Sequence, residues 1–160
     1  MLEGVRSFVR GFGHAGRGVA ALYRAERNLR VHFLAAYAAL SVAFNEPLAP
    51  SARALIVLVS GATIATELLN SALERTLDRQ SMTRDRLARE AKDAAAGAVL
   101  CLSTCAVVMA ALILLPHLGA FWRKARHASL VVQVVWCFGL ALFGTAVLLP
   151  RAKGGQVHRS

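Results

Sequence analysis

Apolar residues gather in four runs along the chain, at 33–44, 52–73, 94–115 and 128–149, separated by clusters of charge and proline. The first run holds about 12 residues, or some 18 Å of helix, so it crosses a ~30 Å hydrocarbon core only if its helix begins near Tyr23. The second and third runs are long enough to span. The second is preceded by a turn at 45–51, where Pro47 and Pro50 break the chain and Ser51 is placed to cap the following helix. Pro116 ends the third run and Pro150 the fourth. Ahead of them all, Leu2, Val5, Phe8, Val9 and Phe12 alternate with Arg6, Arg10, His14 and Arg17. That pattern predicts an amphipathic helix lying in the headgroup region with its arginines snorkelling to phosphates, although Gly11, Gly13, Gly16 and Gly18 weaken it. The whole predicts an all-α integral membrane protein. It has an N-terminal surface helix, three transmembrane helices and an extra C-terminal transmembrane segment.

The second run does not end apolar. Glu67, Asn70, Ser71, Glu74 and Asp78 continue the same helix. At about 100° per residue the three carboxylates fall within roughly 20° of one line, with Asn70 and Ser71 beside it. An ionisable group at membrane depth costs of order 2.5 kcal/mol or more at the helix centre, so it points by default into a protein interior or a wet cavity and marks a site. Solvated charges at a helix exit would suit Asp78 and Glu74. They would not suit Glu67, which has further to travel before the charged loop. Gly61 and Ala65 on this helix, and the small residues that open the third run, allow a second helix to come close.

Composition agrees with a membrane location: 56% of residues are hydrophobic and the mean hydropathy is +0.50, against a soluble norm of about 45–50%. Arginines at 6, 10, 17, 24, 27 and 30 interrupt the start of the chain, so no cleavable signal is expected and the N-terminus stays in the cytoplasm. The net charge of +10 would suit nucleic acid, but the basic residues flank the apolar runs, as anionic headgroups and the positive-inside rule require. The charged loop 75–93 is placed on the same side. Arg123, Lys124 and Arg126, between the third and fourth runs, then fall on the outside, against that rule. Either the core fixes the orientation over this late linker or the fourth segment does not fully span. Cys101, Cys105 and Cys137 lie within apolar runs and read as packing residues, without a disulfide framework or a metal pair.

Carboxylates ringed by arginines and a lysine at one membrane face suit phosphoryl transfer from ATP to a lipid hydroxyl. Mg²⁺ takes oxygen ligands, often one or two carboxylates plus nucleotide phosphates, and cations neutralise phosphate charge. Three blocks carry a resemblance: Glu26-Arg27-Asn28-Leu29-Arg30-Val31-His32, Glu67-Leu68-Leu69-Asn70-Ser71-Ala72-Leu73-Glu74 with Asp78, and Ala91-Lys92-Asp93-Ala94-Ala95-Ala96-Gly97-Ala98-Val99-Leu100. Together they resemble the signature blocks of the prokaryotic diacylglycerol kinase and undecaprenol kinase family, over about residues 5–118. The resemblance implies a small homotrimer in the bacterial inner membrane. Each chain has a surface helix and three membrane helices, and the active sites at the cytoplasmic face are shared between neighbours.

Carried over by position, the resemblance makes Glu67 the catalytic base on the lipid hydroxyl and Asn70 a positioning group. Glu26 and Glu74 become the ligands of Mg²⁺, bringing in ATP. Lys92 contacts nucleotide phosphates, Asp78 and Asp93 complete the polar site, and Arg10, or else Arg6, reaches the nucleotide from the N-terminal helix. His32 stands where the diacylglycerol-specific branch has a glutamate, which favours a polyprenol substrate, with diacylglycerol second. Residues 1–120 would be the kinase core. Residues 121–160, a linker, apolar segment and basic tail, lie outside the family pattern and carry no assigned chemistry. The second block by itself would also fit a small proton- or cation-coupled transporter that uses Glu67, but the polar residues gather at one face and no inverted repeat is visible.

Overall fold

A computed structural model of the chain describes residues 2–80 and 85–148. Arg84, Pro150 and the basic tail lie outside the described residues, which are almost all helical and contain no strand. Helix α1 (Leu2–Ala25) runs unbroken through Gly11, Gly13, Gly16 and Gly18, none of which has a positive φ. It exposes Phe8, Val9 and Phe12, the apolar face of the expected surface helix.

A single extended residue, Glu26 (φ −106°, ψ 120°), separates α1 from α2 (Arg27–Asn45). The helix that carries the first apolar run therefore starts at Arg27, not near Tyr23. Tyr23 belongs to α1 and packs edge-on against Phe33 across the break. Glu26 holds the N-cap position of α2 without capping it, so its carboxylate is available elsewhere.

After a short turn, α3 (Pro50–Gln80) opens on Pro50, whose fixed φ and missing N–H suit a first helical turn. Ser51 is consequently inside α3, not its cap. The helix continues without interruption through the carboxylate block. Asp85 caps α4 (Arg86–Leu114) by accepting a hydrogen bond from the Leu87 N–H at 3.0 Å. As expected, the long apolar helix stops just before Pro116, within a 3₁₀ turn at Leu115–His117. The basic linker then forms its own helix, α5 (Leu118–His127). Finally α6 (Leu130–Leu148) returns along α2.

Short connections make α2, α3 and α4 antiparallel neighbours. The bundle accordingly has a charged end, carrying Glu26, the foot of α3 and the head of α4, and a proline end. By length and composition α3 and the continuous stretch from α4 through α5 are able to cross a membrane. Many large apolar side chains face outward, among them Leu58, Leu69, Leu100, Val107 and Leu112. A soluble monomer does not show so much apolar surface, whereas lipid covers it at no cost.

The main hydrophobic core sits at the proline end: Val42, Ala43, Leu48, Ile56, Leu114 and Phe121, with Trp136 of α6 against it. Phe121 and Trp136 stack with centroids 4.4 Å apart. Glu46, its side chain 2% exposed, faces Lys124 Nζ at 3.0 Å, and Arg53 donates to the Glu46 carbonyl oxygen. The Gln133 side-chain amide donates to carbonyl oxygens at the end of α5, those of Ala125, Arg126 and Ala128. Gln133 and Trp136 thus pack α6 against α5.

Farther along α6, Phe143 stacks on Phe33 and touches Tyr37. Gly139 lies directly against the Tyr37 ring, where an added Cβ would come within 2.2 Å of the hydroxyl oxygen. Only glycine allows this approach. In a background with the native cysteines replaced by serine, Phe33→Cys and Phe143→Cys should be joined by a short bis-thiol crosslinker. Adding Gly139→Val should reduce that yield severalfold by pushing α6 off Tyr37; an unchanged yield would contradict the packing described.

Candidate active site

The buried residues of α3 are Ile56, Val59, Thr63, Glu67, Asn70 and Ser71, spaced three and four apart except at the last step. One stripe of the helix is therefore inside throughout its length, and it changes from apolar to polar as it approaches the charged end. Thr63 satisfies its hydroxyl on the Val59 carbonyl one turn back. Glu67 follows at 3% exposure.

No described ion pair includes Glu67. The charges that act on it are the carboxylates of Glu74 and Glu26. Asn70 donates through Nδ2 to Glu74 Oε1 at 3.3 Å, while its own Oδ1 is buried with no hydrogen-bond partner. Buried acceptors are almost always paired, so an orphaned one beside two carboxylates is a place for a cation or a donor to arrive.

Two other elements are tied to this part of α3. Arg75, one residue after Glu74, bonds Glu26 Oε1 at 3.2 Å and so ties the α1–α2 break to α3. Lys92, in the second turn of α4, pairs with Asp78 and ties α4 to the foot of α3. Asp93 is exposed beside Lys92. Glu26, Glu67, Asn70, Glu74, Asp78 and Lys92 thus gather at the charged end of one chain.

Arg10 does not join them. It is exposed on α1, 15 residues before the helix end at Ala25, and at ~1.5 Å per residue that is about 22 Å of helix. Arg6 is farther still.

Two contributors were not assigned a role by sequence reasoning. Arg30 is 3% exposed although it is charged, and lies within electrostatic reach of Tyr23. Its only sequence signal was the spacing Glu26, Arg30 at i, i+4. Arg75 looked like one of many loop cations, because nothing local distinguishes it from Arg79.

Glu26, Glu74 and the Asn70 carbonyl oxygen offer oxygen ligands only, the type that a hard cation such as Mg²⁺ takes. Among the described residues no group of three or more His, Cys, Asp or Glu side chains could hold a metal ion. A Mg²⁺ that keeps water and phosphate ligands needs no such cage.

The model of the prokaryotic diacylglycerol kinase family matches residues 13–114. The chain belongs to that family. Over 111 residues it is 40% identical to the undecaprenol kinase of Bacillus subtilis, covering 69% of this chain and 90% of that protein. It is 37% identical over 108 residues to the diacylglycerol kinase of Synechocystis sp., covering 67% of this chain and 62% of that protein. With the diacylglycerol kinase of Pseudomonas aeruginosa it shares 34% identity over 112 residues, 70% of this chain and 91% of that protein.

As a member of the prokaryotic diacylglycerol kinase family the chain is a lipid kinase, and the transporter reading falls away. The match takes in every residue gathered at the charged end. It omits Arg10, α5 and α6.

The geometry makes a prediction independent of chemistry. A carboxylate buried near other carboxylates, with no described ion pair, destabilises the fold that contains it. Glu67→Leu should therefore raise stability in detergent by roughly 1–3 kcal/mol. Thermal melting of the purified protein checks this, and a lower melting point than wild type would show that Glu67 is a structural anchor.

Proposed function

We propose that the chain transfers the terminal phosphoryl group of ATP to the hydroxyl of a membrane lipid, undecaprenol in preference to diacylglycerol, at the cytoplasmic face of the bacterial inner membrane. The observation that carries this reading is the sealed Glu67 carboxylate next to Asn70 and Glu74, at the one end of the bundle where nucleotide-binding charges collect. Lipid reaches such a position sideways along apolar α3 and α4, and nucleotide reaches it from water. The preference for polyprenol rests on His32 in the first block and on the 40% identity to a protein named undecaprenol kinase.

Glu67 accepts the proton of the lipid hydroxyl. The freed oxygen attacks the terminal phosphorus, and the bond from that phosphorus to the bridging oxygen breaks, leaving ADP. Glu26 and Glu74 would hold Mg²⁺, which when bound supplies neutralisation of phosphate charge. Asn70 orients Glu74 through its amide and turns its carbonyl oxygen into the same space. Lys92, held by Asp78, meets phosphate oxygens, with Asp93 beside it on α4. Arg10 lies too far from these groups to act within its own chain. In a homotrimer it would serve the site of a neighbour, and the open surfaces around Gly61, Ala65 and Gly97 would receive the neighbouring helices. In this reading the kinase core is residues 1–120 and residues 121–160 are an addition to it.

The test is phosphate transfer from labelled ATP and Mg²⁺ in mixed micelles that contain undecaprenol or diacylglycerol separately. Labelled undecaprenol phosphate should exceed labelled phosphatidate. Glu67→Gln should lower turnover by about 10²–10⁴, the usual contribution of a positioned general base. Glu74→Gln should raise the Mg²⁺ concentration needed for half-maximal rate. Equal turnover with Glu67→Gln would remove the base assignment, and a higher rate on diacylglycerol would reverse the substrate order.

A further inference from the structure

The proline end holds a second site that the transfer reaction does not use. Helices α2, α5 and α6 enclose a cleft of about 590 Å³, within the size range of ligand pockets. Tyr37, Val42, Phe121, Trp136 and Leu140 line its depth, and Lys124 and Arg126 stand in its wall. Along α6 its lining runs from Val132 to Leu140, ~12 Å of helix.

The charge around it is one-sided. Arg123, Lys124 and Arg126 follow one another on α5, and the single acidic side chain brought to them is Glu46, which takes Lys124 alone. No described ion pair includes Arg123 or Arg126. A cationic cluster on the membrane face opposite the kinase site also runs against the positive-inside rule, so topology does not account for it.

An apolar groove with cations in its wall matches one kind of molecule. We propose that this cleft seats an anionic glycerophospholipid of the leaflet opposite the kinase site, one acyl chain lying along Trp136 and Leu140 and its phosphate against Arg126 and Lys124. The lipid then joins α5 and α6 to α2 as a structural ligand, and it is neither substrate nor product of the transfer. Phosphate recognition by a guanidinium at a membrane interface follows the usual chemistry of polybasic segments.

Both tryptophans of the chain, Trp122 and Trp136, line the cleft, so its occupancy is readable without any activity. The full-length protein is placed in phosphatidylcholine vesicles that contain a small, equal mole fraction of either dibrominated phosphatidylglycerol or dibrominated phosphatidylcholine. The phosphatidylglycerol probe should quench tryptophan emission at least threefold more efficiently. Arg126→Gln should bring the two probes to parity while, in detergent without added phospholipid, the variant melts as wild type does. Trp122→Phe leaves Trp136 as reporter and should keep the preference, which places the acyl chain in the depth of the cleft. Equal quenching by both probes in the wild type would show only bulk lipid against the helices and overturn the proposal. So would a preference that survives Arg126→Gln, or one that vanishes with Trp122→Phe.

Discussion

Glu67 is held inside the bundle by the residues that precede it on the same helix. Ile56, Val59 and Thr63 pack inward, and because α3 is one rigid rod, the positions that follow at the same spacing go inward with them. The carboxylate has no freedom to turn to water without tearing the apolar part of the stripe from its contacts. Its placement is therefore secured by hydrophobic packing at the far end of the helix, which supplies the free energy that burial of an unpaired charge takes away. The chemistry at one end of the bundle depends on the core at the other.

Cross-links between elements then fix the surroundings. Each one joins a different pair: Glu26 and Arg75 join the α1–α2 break to α3, Asp78 and Lys92 join α3 to α4. Individually such partly exposed pairs contribute little stability. Their effect is positional, since they bring charges from three separate blocks of sequence to one membrane face. The one-residue break at Glu26 is part of this arrangement. A continuous helix would direct that carboxylate along a surface, whereas the extended residue turns it towards α3.

The proline end is built differently. Its contacts are aromatic stacking, a glycine against a tyrosine ring, a glutamine that satisfies the carbonyls ending α5, and one buried glutamate facing a lysine. These are devices for seating α5 and α6 on α2, and α5 and α6 lie beyond the stretch matched by the family. The two ends thus differ in kind, a polar cluster of carboxylates and cations at one and an apolar seat for α5 and α6 at the other. The basic linker that conflicts with the positive-inside rule is placed by the seat.

What the sequence by itself determined is whatever repeats along a single helix: the membrane class, the carboxylate stripe, the break at Pro116 and the blocks that resemble the family. Helical period is a local property, so Glu67, Asn70, Glu74 and Asp78 could be aligned without knowing any neighbour. What only the tertiary structure decided is everything that depends on a second element. Ser51 lost the cap because Pro50 already begins the helix, and α2 starts at Arg27 because Glu26 is extended. Arg30 and Arg75 emerged from a crowd of similar arginines only when α1, α2 and α3 met. Arg10 was set apart by the straightness of α1, and α6 found its place through Gly139 and Tyr37. Contacts between residues far apart in the chain are set by packing and charge pairing across helices, and no periodicity within one helix encodes them.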